Sequence, residues 1–415
     1  VYFGNMHPKG VFIDAKPIPG TSDVILINSP GHGGHEHSGA VAIVSDKNGP
    51  DDRGSMRNIT KNGYRDPFAI SADTFIAANR RDLVMLNPQG QTQKLYSLDA
   101  KFGRSTQLHE PRPVIVRKRE RVHPPRVNPS MATGQLMLMD VYNGRNMKGV
   151  KKGDIKKLLV VESLPKPINF TGGMDPMSYG GTFTLERVLG TVPVEEDGSA
   201  NFVLPAKRAF FFVALDANNN SVKRMHSFVS VMPGEMTSCV GCHEERKKIA
   251  GNRPVGGRPQ AMKRAPSTIT PNKGVPDIFD FPRDIQPILD KHCIKCHNSK
   301  KQNGGAILTS GRGPIFSNSY FTLTWKKQFT DGRNIAVGNR DPRTVGSGSS
   351  PIMKKIDGEH NKVKLSQTEQ DMIRYWIEAG APYPGTYAAL GCGSIAGYQQ
   401  NRQVNTDLGS PEFKT

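Results

Sequence analysis

The sequence predicts a mainly β protein that ends in a small α-helical domain, and three observations lead to this fold class. The 415 residues include 43 glycines and 31 prolines, a composition that favours turns and short strands. Short apolar runs bounded by turn residues recur through roughly the first half of the chain. Apolar residues at helical spacing are found before Cys293 and, most clearly, after Ser366.

The first part of the chain, residues 1–110, is predicted to form blades of a partial β-propeller. Strands are expected at 24–27, 40–44, 74–78, 83–86 and 93–96. This spacing suits blades of about 40 to 45 residues each. Because a propeller needs at least about four blades, we expect the remaining blades to come from a missing N-terminal part or from another chain.

A glycine-rich window between two of these strands contains three histidines, His32, His35 and His37. Glycine lets a ligand approach the backbone closely, and histidine binds metals or transfers protons near neutral pH. These histidines are the candidate catalytic side chains. The competing interpretation is a surface loop that happens to be rich in histidine.

Residues 111–250 are predicted to form a β-rich, sandwich-like middle domain. It begins with a connector rich in proline and arginine, which extends to about residue 130. Strands are then expected at 136–141, 180–188, 200–204, 210–215 and 227–231. Residues 251–277, rich in glycine, proline and basic residues, are a predicted linker.

Residues 278–387 are predicted to form a compact helical domain. A first helix is expected before Cys293, kinked or shortened by Pro287. The clearest helix begins at Ser366, which forms a predicted capping box with Glu369. Residues 388–415 are a predicted tail that ends in a stretch resembling a vector-derived linker.

Two C-x-x-C-H motifs are the strongest chemical signal in the chain, and they use four of its five cysteines. Two thiols about one helical turn apart can form thioethers to the two vinyl groups of one porphyrin, and the following His can bind its iron. The sequence therefore predicts two covalently bound c-type haems. The residues that these motifs assign to haem are Cys239, Cys242, His243, Cys293, Cys296 and His297.

Two other uses of the cysteines compete with this interpretation. Four cysteines in two C-x-x-C pairs could bind one structural zinc ion, but zinc ribbons separate the pairs by about 15 to 20 residues, far fewer than lie between Cys242 and Cys293. A redox-active C-x-x-C pair leaves the histidine after each motif unexplained. Haem explains both the pairs and the histidines.

Composition also restricts the compartment and the partners. No apolar run is long enough to span a bilayer, and no signal peptide is recognisable at Val1, so the chain is expected to be a mature protein or a fragment. Covalent haem implies export, which predicts a periplasmic, other extracytoplasmic or secreted location. The net charge of +19 favours acidic redox partners, and no nucleic-acid recognition motif is present.

Three segments carry a resemblance to a known family. Thr182–Val194, the turn Asp197–Ser199 and the segment Pro233–His243 resemble the middle domain of the hydrazine synthase alpha subunit and its relatives. The resemblance extends over nearly the whole chain. It implies an N-terminal propeller, a β-rich middle domain with a catalytic c-type haem, and a C-terminal cytochrome c domain with a bis-His haem.

The resemblance also implies a sixth ligand for the second haem. The segment Gly358–Ser366 is similar to the family stretch that supplies the distal histidine, so His297 and His360 would bind one iron. The residues themselves leave Met353 and His292 as rivals. A methionine ligand would raise the reduction potential.

The first haem departs from the family pattern. In the synthase, a tyrosine four residues after the motif histidine binds the iron and that histidine binds zinc, whereas Lys247 occupies this position here. The departure predicts that His243 is the ordinary proximal ligand and that the chain is a relative of the synthase rather than the synthase itself. Met232 and Met236 are candidate sixth ligands, and an additional zinc ion is a further cofactor expectation.

The resulting hypothesis is a dihaem c-type oxidoreductase. The first haem would be the reaction site for a small molecule such as a nitrogen compound, with the histidine-rich loop facing it. The second haem would relay electrons to a redox partner or to other subunits of a multihaem complex. The alternatives are an electron carrier without a substrate and a propeller-based binding scaffold.

Overall fold

The fold is mainly β, as the sequence predicts. A computed structural model of the chain describes residues 11–31, 37–49, 52–116, 119, 121–144, 146–165, 177–178, 184–225, 227–242, 257–311, 316–330 and 339–387. The strands are β1 (Val11–Pro17), β2 (Val24–Ser29), β3 (Ala40–Val44), β4 (Met56–Asn58), β5 (Tyr64–Ala69), β6 (Phe75–Asn79), β7 (Asp82–Leu86), β8 (Thr92–Ser97), β9 (Thr133–Asp140), β10 (Lys157–Ser163), β11 (Glu186–Pro193), β12 (Ala200–Pro205), β13 (Ala209–Leu215), β14 (Ser221–Arg224) and β15 (Met236–Gly241). The helices are α1 (Gln286–His292), α2 (Asn318–Trp325), α3 (Pro351–Ile356) and α4 (Gln367–Glu378).

Packing divides the chain into two compact units, Val1–Val122 and His123–Thr415. The first unit contains two four-stranded antiparallel sheets, β1–β4 and β5–β8, each with its strands in chain order. Four antiparallel strands in order also make one propeller blade. The described residues do not close these sheets into a ring, so the propeller and the predicted domain boundaries stay predictions.

The second unit contains two further sheets. One has the order β11-β10-β13-β14 and is antiparallel, and the other has the order β12-β9-β15. In the latter, β15 runs parallel to β9, whereas β12 runs antiparallel to it. Side chains from both sheets, including Leu136, Leu158 and Phe202, pack into one core.

Strand β10 shows how the second unit is layered. Leu158 and Val160 point into the core between the two sheets, whereas Leu159 and Val161 belong to a core shared with the C-terminal helices. Successive side chains of a strand point to opposite faces, so both faces of this sheet are buried. The sheet and the helical region therefore form one packed body.

The strand predictions fail in two places. Residues 227–231 were expected to form a strand, but only an isolated bridge joins Val229 to Phe210. On that edge of β13, residues 213–215 pair instead with β14. The strand expected at 180–188 begins only at Glu186, and residues 179–183 lie outside the described part of the chain.

The helical region matches its sequence signals closely. Ser366 accepts the backbone N–H of Glu369, whose carboxylate accepts the N–H of Ser366 at 2.9 Å, which is the predicted capping box of α4. Pro287 lies in the first turn of α1, directly after a π-helical turn at Phe281–Ile285. Within the described residues, none of the helices has the length and apolar character required to cross a bilayer.

Candidate haem sites

The second C-x-x-C-H motif lies on a tight turn that continues from helix α1. The backbone N–H of Cys293 donates to the carbonyl of Leu289 at 2.8 Å, and the N–H of His297 donates to the carbonyl of Cys293 at 3.0 Å. These bonds keep Cys293, Cys296 and His297 close to helical spacing. The structure thus places the two thiols about one turn apart, as attachment to a porphyrin requires.

An apolar cavity opens beside this turn, with a volume of about 1000 Å³ that includes its open mouth. Its walls come from α1, α2, α3 and α4, and they include Leu289, Leu323 and Ile356. Cys293, Cys296, His297 and His360 all border the cavity. A concave apolar cavity with a few converging polar groups is the usual form of a cofactor site.

His297 is held in the tautomer that a metal ligand needs. Its Nδ1 lies 2.9 Å from the carbonyl oxygen of Asn303, to which a protonated Nδ1 donates. This hydrogen bond leaves Nε2 as the unprotonated, ligating nitrogen. Burial lowers the pKa of His297 below its ordinary value and outweighs the contribution of Asn303 that raises it. The neutral, ligating form is therefore favoured.

His360 faces His297 across the cavity. The two rings have centroids 5.8 Å apart and planes inclined by 21°. Two imidazoles that bind one metal from opposite sides, each at a distance of about 2 Å, have centroids about 6 Å apart. The centroid separation of this pair is compatible with two ligands of one iron.

The two rival sixth ligands are less well placed than His360. Met353 is buried and borders a different, polar cavity, which is lined by Asp216 and Arg374 among others. His292 borders the apolar cavity, but its Nε2 lies 3.0 Å from the carboxylate of Glu369. The geometry therefore favours His360 as the partner of His297.

The thiol of Cys293 is not poised for redox exchange. Burial, with a smaller contribution from Cys296, raises its pKa to about 11. A buried, protonated thiol is a poor nucleophile in thiol–disulfide exchange, because exchange needs the thiolate. This environment does not favour a redox-active C-x-x-C pair.

The first motif has a different local structure, which corrects the expectation that both pairs lie on helical turns. Cys239 lies within β15, and the N–H of Cys242 donates to the carbonyl of Asn143 at 2.9 Å. Parallel pairing with β9 keeps this segment extended. Cβ at Gly241 would lie 1.9 Å from the Asn143 carbonyl oxygen, so only glycine permits this approach.

This extended segment also borders an apolar cavity. The cavity has a volume of about 990 Å³ and is lined by β9, β10, β13 and the segment Ser238–Cys242. Met225 lies on its wall, whereas the two predicted sixth ligands, Met232 and Met236, are 42% and 59% exposed and do not border it. Sequence reasoning missed Met225, because it is close to Cys239 in space but belongs to the loop after β14.

The predicted histidines are only partly covered by the described residues. His243, His32 and His35 lie outside them. His37 is described and exposed. The roles of these four histidines, including the expectation that the loop faces the first haem, stay predictions.

The two cysteine pairs do not form one metal cluster. Each pair borders its own cavity, and the metal-compatible group found in the described residues is Asp14, Asp66 and Glu110 in the first unit. One structural zinc ion bound by all four cysteines is therefore not supported. Each pair borders a cavity of its own instead.

The comparisons with known proteins agree with the resemblance seen in the sequence. Residues 153–244 match the family model of the hydrazine synthase alpha subunit middle domain, a range that contains Cys239, Cys242 and His243. The chain is 22% identical to hydrazine synthase subunit alpha of Kuenenia stuttgartiensis over 326 residues. It is a relative of the hydrazine synthase alpha subunit.

The similarity of fold covers more of the chain than the matched domain does. A solved structure of Kuenenia stuttgartiensis hydrazine synthase matches with a TM-score of 0.68 and 18% identity, covering 91% of this chain and 62% of that one. The sequence match covers 58% of this chain and 40% of the curated hydrazine synthase subunit. The chain therefore spans less than two thirds of the length of each of these two proteins.

Proposed function

We propose that this chain is an extracytoplasmic dihaem c-type oxidoreductase related in function to the hydrazine synthase alpha subunit. The observation that carries the proposal is that each C-x-x-C pair borders its own apolar cavity, of about 1000 Å³ at Cys293 and about 990 Å³ at Cys239. Concave, mostly apolar cavities with a few polar groups are the usual form of a cofactor site. The proposed architecture is a partial propeller, a sandwich-like middle domain and a C-terminal cytochrome c domain.

The chain's own residues define two different sites. Cys293 and Cys296 would attach the second haem, while His297 and His360 would hold its iron in six-coordinate form. When bound, haem supplies one-electron chemistry, whose potential depends on axial ligands, hydrogen bonds and burial. A site with both axial positions filled suits an electron relay, so we assign reaction with a small molecule to the first site, where Cys239, Cys242 and His243 would bind haem.

Haem stoichiometry tests this proposal directly. The protein should be produced in a periplasm that has c-type maturation, and its pyridine haemochrome should correspond to two haems per chain. Cys239→Ser with Cys242→Ser and, separately, Cys293→Ser with Cys296→Ser should each leave one covalent haem. A wild-type protein without covalent haem would overturn the proposal.

Met225 favours a second candidate function, that of an electron carrier without a substrate. Its thioether borders the first cavity and is a plausible sixth ligand. In a carrier, both irons would be low-spin, and Met225→Leu would make the first haem high-spin. In an oxidoreductase, the wild-type protein would already show a high-spin component that binds carbon monoxide. An optical spectrum of the two proteins separates these functions.

The similarity to the hydrazine synthase alpha subunit also supports a proposal about the partners of the chain and its cellular compartment. We propose that the chain works with further subunits and with an acidic redox protein. Fractionation of the native host should find it in an extracytoplasmic compartment, together with co-purifying subunits. Its recovery as a haem-free cytoplasmic protein would contradict both statements.

A further inference from the structure

An exposed pair of aromatic rings lies on helix α2, beside the second cavity. Phe321 is 44% exposed and Trp325 is 71% exposed. They are four residues apart and therefore share one face of the helix, where their rings stack with centroids 6.0 Å apart and planes 14° apart. Large aromatic side chains that cluster at a surface commonly mark an interaction site.

The same helix separates this pair from the cavity. Leu323 is buried, and together with Thr322 it lines the cavity that contains His297 and His360. An α-helix with its side chains is about 10 Å across. The aromatic pair thus lies one helix away from the proposed second haem, a position suited to a partner that exchanges electrons with it.

The surroundings of the aromatic pair are basic. Lys326 and Lys327 directly follow Trp325 and are exposed, and Lys326 lines the cavity together with Lys355. No carboxylate occurs among the described residues that line this cavity. The whole chain also carries a net charge of +19. Charge complementarity therefore selects an acidic partner.

We propose that Phe321, Trp325 and Lys327, here called the aromatic–lysine patch, form the docking surface for an acidic electron-transfer protein. The proposal rests on the proposed function, because it needs haem at the second site. Aromatic side chains supply the desolvated centre of an interface, and lysines at its rim steer the encounter. One electron passes between the partner and the haem iron, so that one is oxidised as the other is reduced, and no atom is transferred.

Flavodoxin hydroquinone, an acidic one-electron donor, is a suitable probe of this surface. Stopped-flow measurements would give the second-order rate constant for reduction of the second haem at several salt concentrations. Phe321→Ser with Trp325→Ser should lower this constant by about tenfold or more, because aromatic anchors dominate interfaces. Lys327→Glu should lower it at low salt and weaken its dependence on salt.

Matched controls separate docking from other effects. Lys152→Glu changes the net charge by the same amount at an exposed position, and Phe102→Ser removes an aromatic side chain that is 50% exposed, so both should react like the wild type. Reduction by hexaammineruthenium(II), which needs no docking surface, should be equally fast in the aromatic double variant and the wild type. The pyridine haemochrome of every variant should remain at two haems.

The possible outcomes distinguish the two proposals. Absence of haem from the wild-type protein overturns the proposed function and this inference with it. Two haems with unchanged flavodoxin kinetics in the aromatic double variant overturn only the docking surface. Sedimentation velocity supplies a further test, since a wild-type dimer that this variant converts to monomers would assign the patch to self-association instead.

Discussion

His297 and His360 are the pair of residues on which the assignment of the second site depends. Their rings face each other with centroids 5.8 Å apart, whereas Met353 borders a different cavity. His360→Ala should therefore leave haem attached through Cys293 and Cys296 but make that haem high-spin. Met353→Leu should leave the spectrum unchanged. A low-spin second haem in His360→Ala, with loss of the low-spin state in Met353→Leu, would reverse the assignment.

Glu369 is a second residue whose role can be tested, because its contribution to folding stability depends on pH. Hydrogen bonds from Lys291, then from His292 and Ser366, lower its pKa to about 2 from an ordinary value of 4.5. A carboxyl group whose pKa is lower in the folded state stabilises that state above its unfolded pKa. The stabilisation that Glu369 gives the folded state is therefore lost as the pH falls from about 4.5 through about 2.

Glu369→Gln should lower the free energy of unfolding by about 1 kcal/mol at pH 7, because it weakens the capping box and an exposed ion pair. The difference from wild type should shrink as the pH falls below 4.5. Both tryptophans, Trp325 and Trp376, lie in the helical region, so tryptophan fluorescence during urea unfolding reports on it. Glu359→Gln, at an exposed position, is the control. A difference that grows on acidification would contradict the assignment.

At the scale of elements, local signals predicted local structure well. Ser366 and Glu369 predicted the start of α4, and the apolar runs predicted β2, β3, β12 and β13. The parallel pairing of β15 with β9 could not be predicted, because it joins residues about a hundred positions apart and leaves no periodic signal. That pairing decides the geometry of the first site, and it explains why the motif there is extended.

Gly241 tests the importance of this pairing for the first site. Gly241→Ala should destabilise the second unit by about 1 to 3 kcal/mol, because the added methyl group meets the Asn143 backbone and not a flexible side chain. It should also lower haem content from two towards one, since Cys242 follows directly. The control is Gly54→Ala, whose new methyl group would meet only the Asp52 side chain, at 3.4 Å. Full haem occupancy in Gly241→Ala would show that the close approach is dispensable.

At the scale of the molecule, the second unit is held together across its layers. The continuous apolar run of β13 is typical of a strand that is buried on both faces. The sequence could not show that the outer face would pack against helices more than sixty residues away, because side-chain patterns reveal burial but not the partner. Phe211 and Val213 of β13 share their core with Phe281 and Trp376 of the helical region.

A buried ion cluster joins the same two layers. Arg224 of β14 lies 3.2 Å from the carboxylate of Glu186 on β11 and 3.6 Å from that of Glu378 on α4. All three residues are buried, and the second carboxylate oxygen of Glu378 accepts the N–H of Ser347 at 2.6 Å. The arginine is therefore the positive charge that lets two carboxylates lie inside this interface.

Arg224→Met should destabilise the protein by about 3 to 5 kcal/mol, because it removes the buried cation that lies beside the carboxylates of Glu186 and Glu378. Arg343→Met is the matched control, since Arg343 also bridges the two layers, at 3.2 Å from Asp216. Its side chain is 43% exposed, so the substitution should lower the free energy of unfolding by at most about 1 kcal/mol. Urea unfolding followed by tryptophan fluorescence and by the haem spectra would measure both. If the fluorescence and haem signals of Arg224→Met change at the same urea concentration, the sheet and the helices unfold as one unit. If both variants lose the same small amount of unfolding free energy, apolar packing alone joins the two layers.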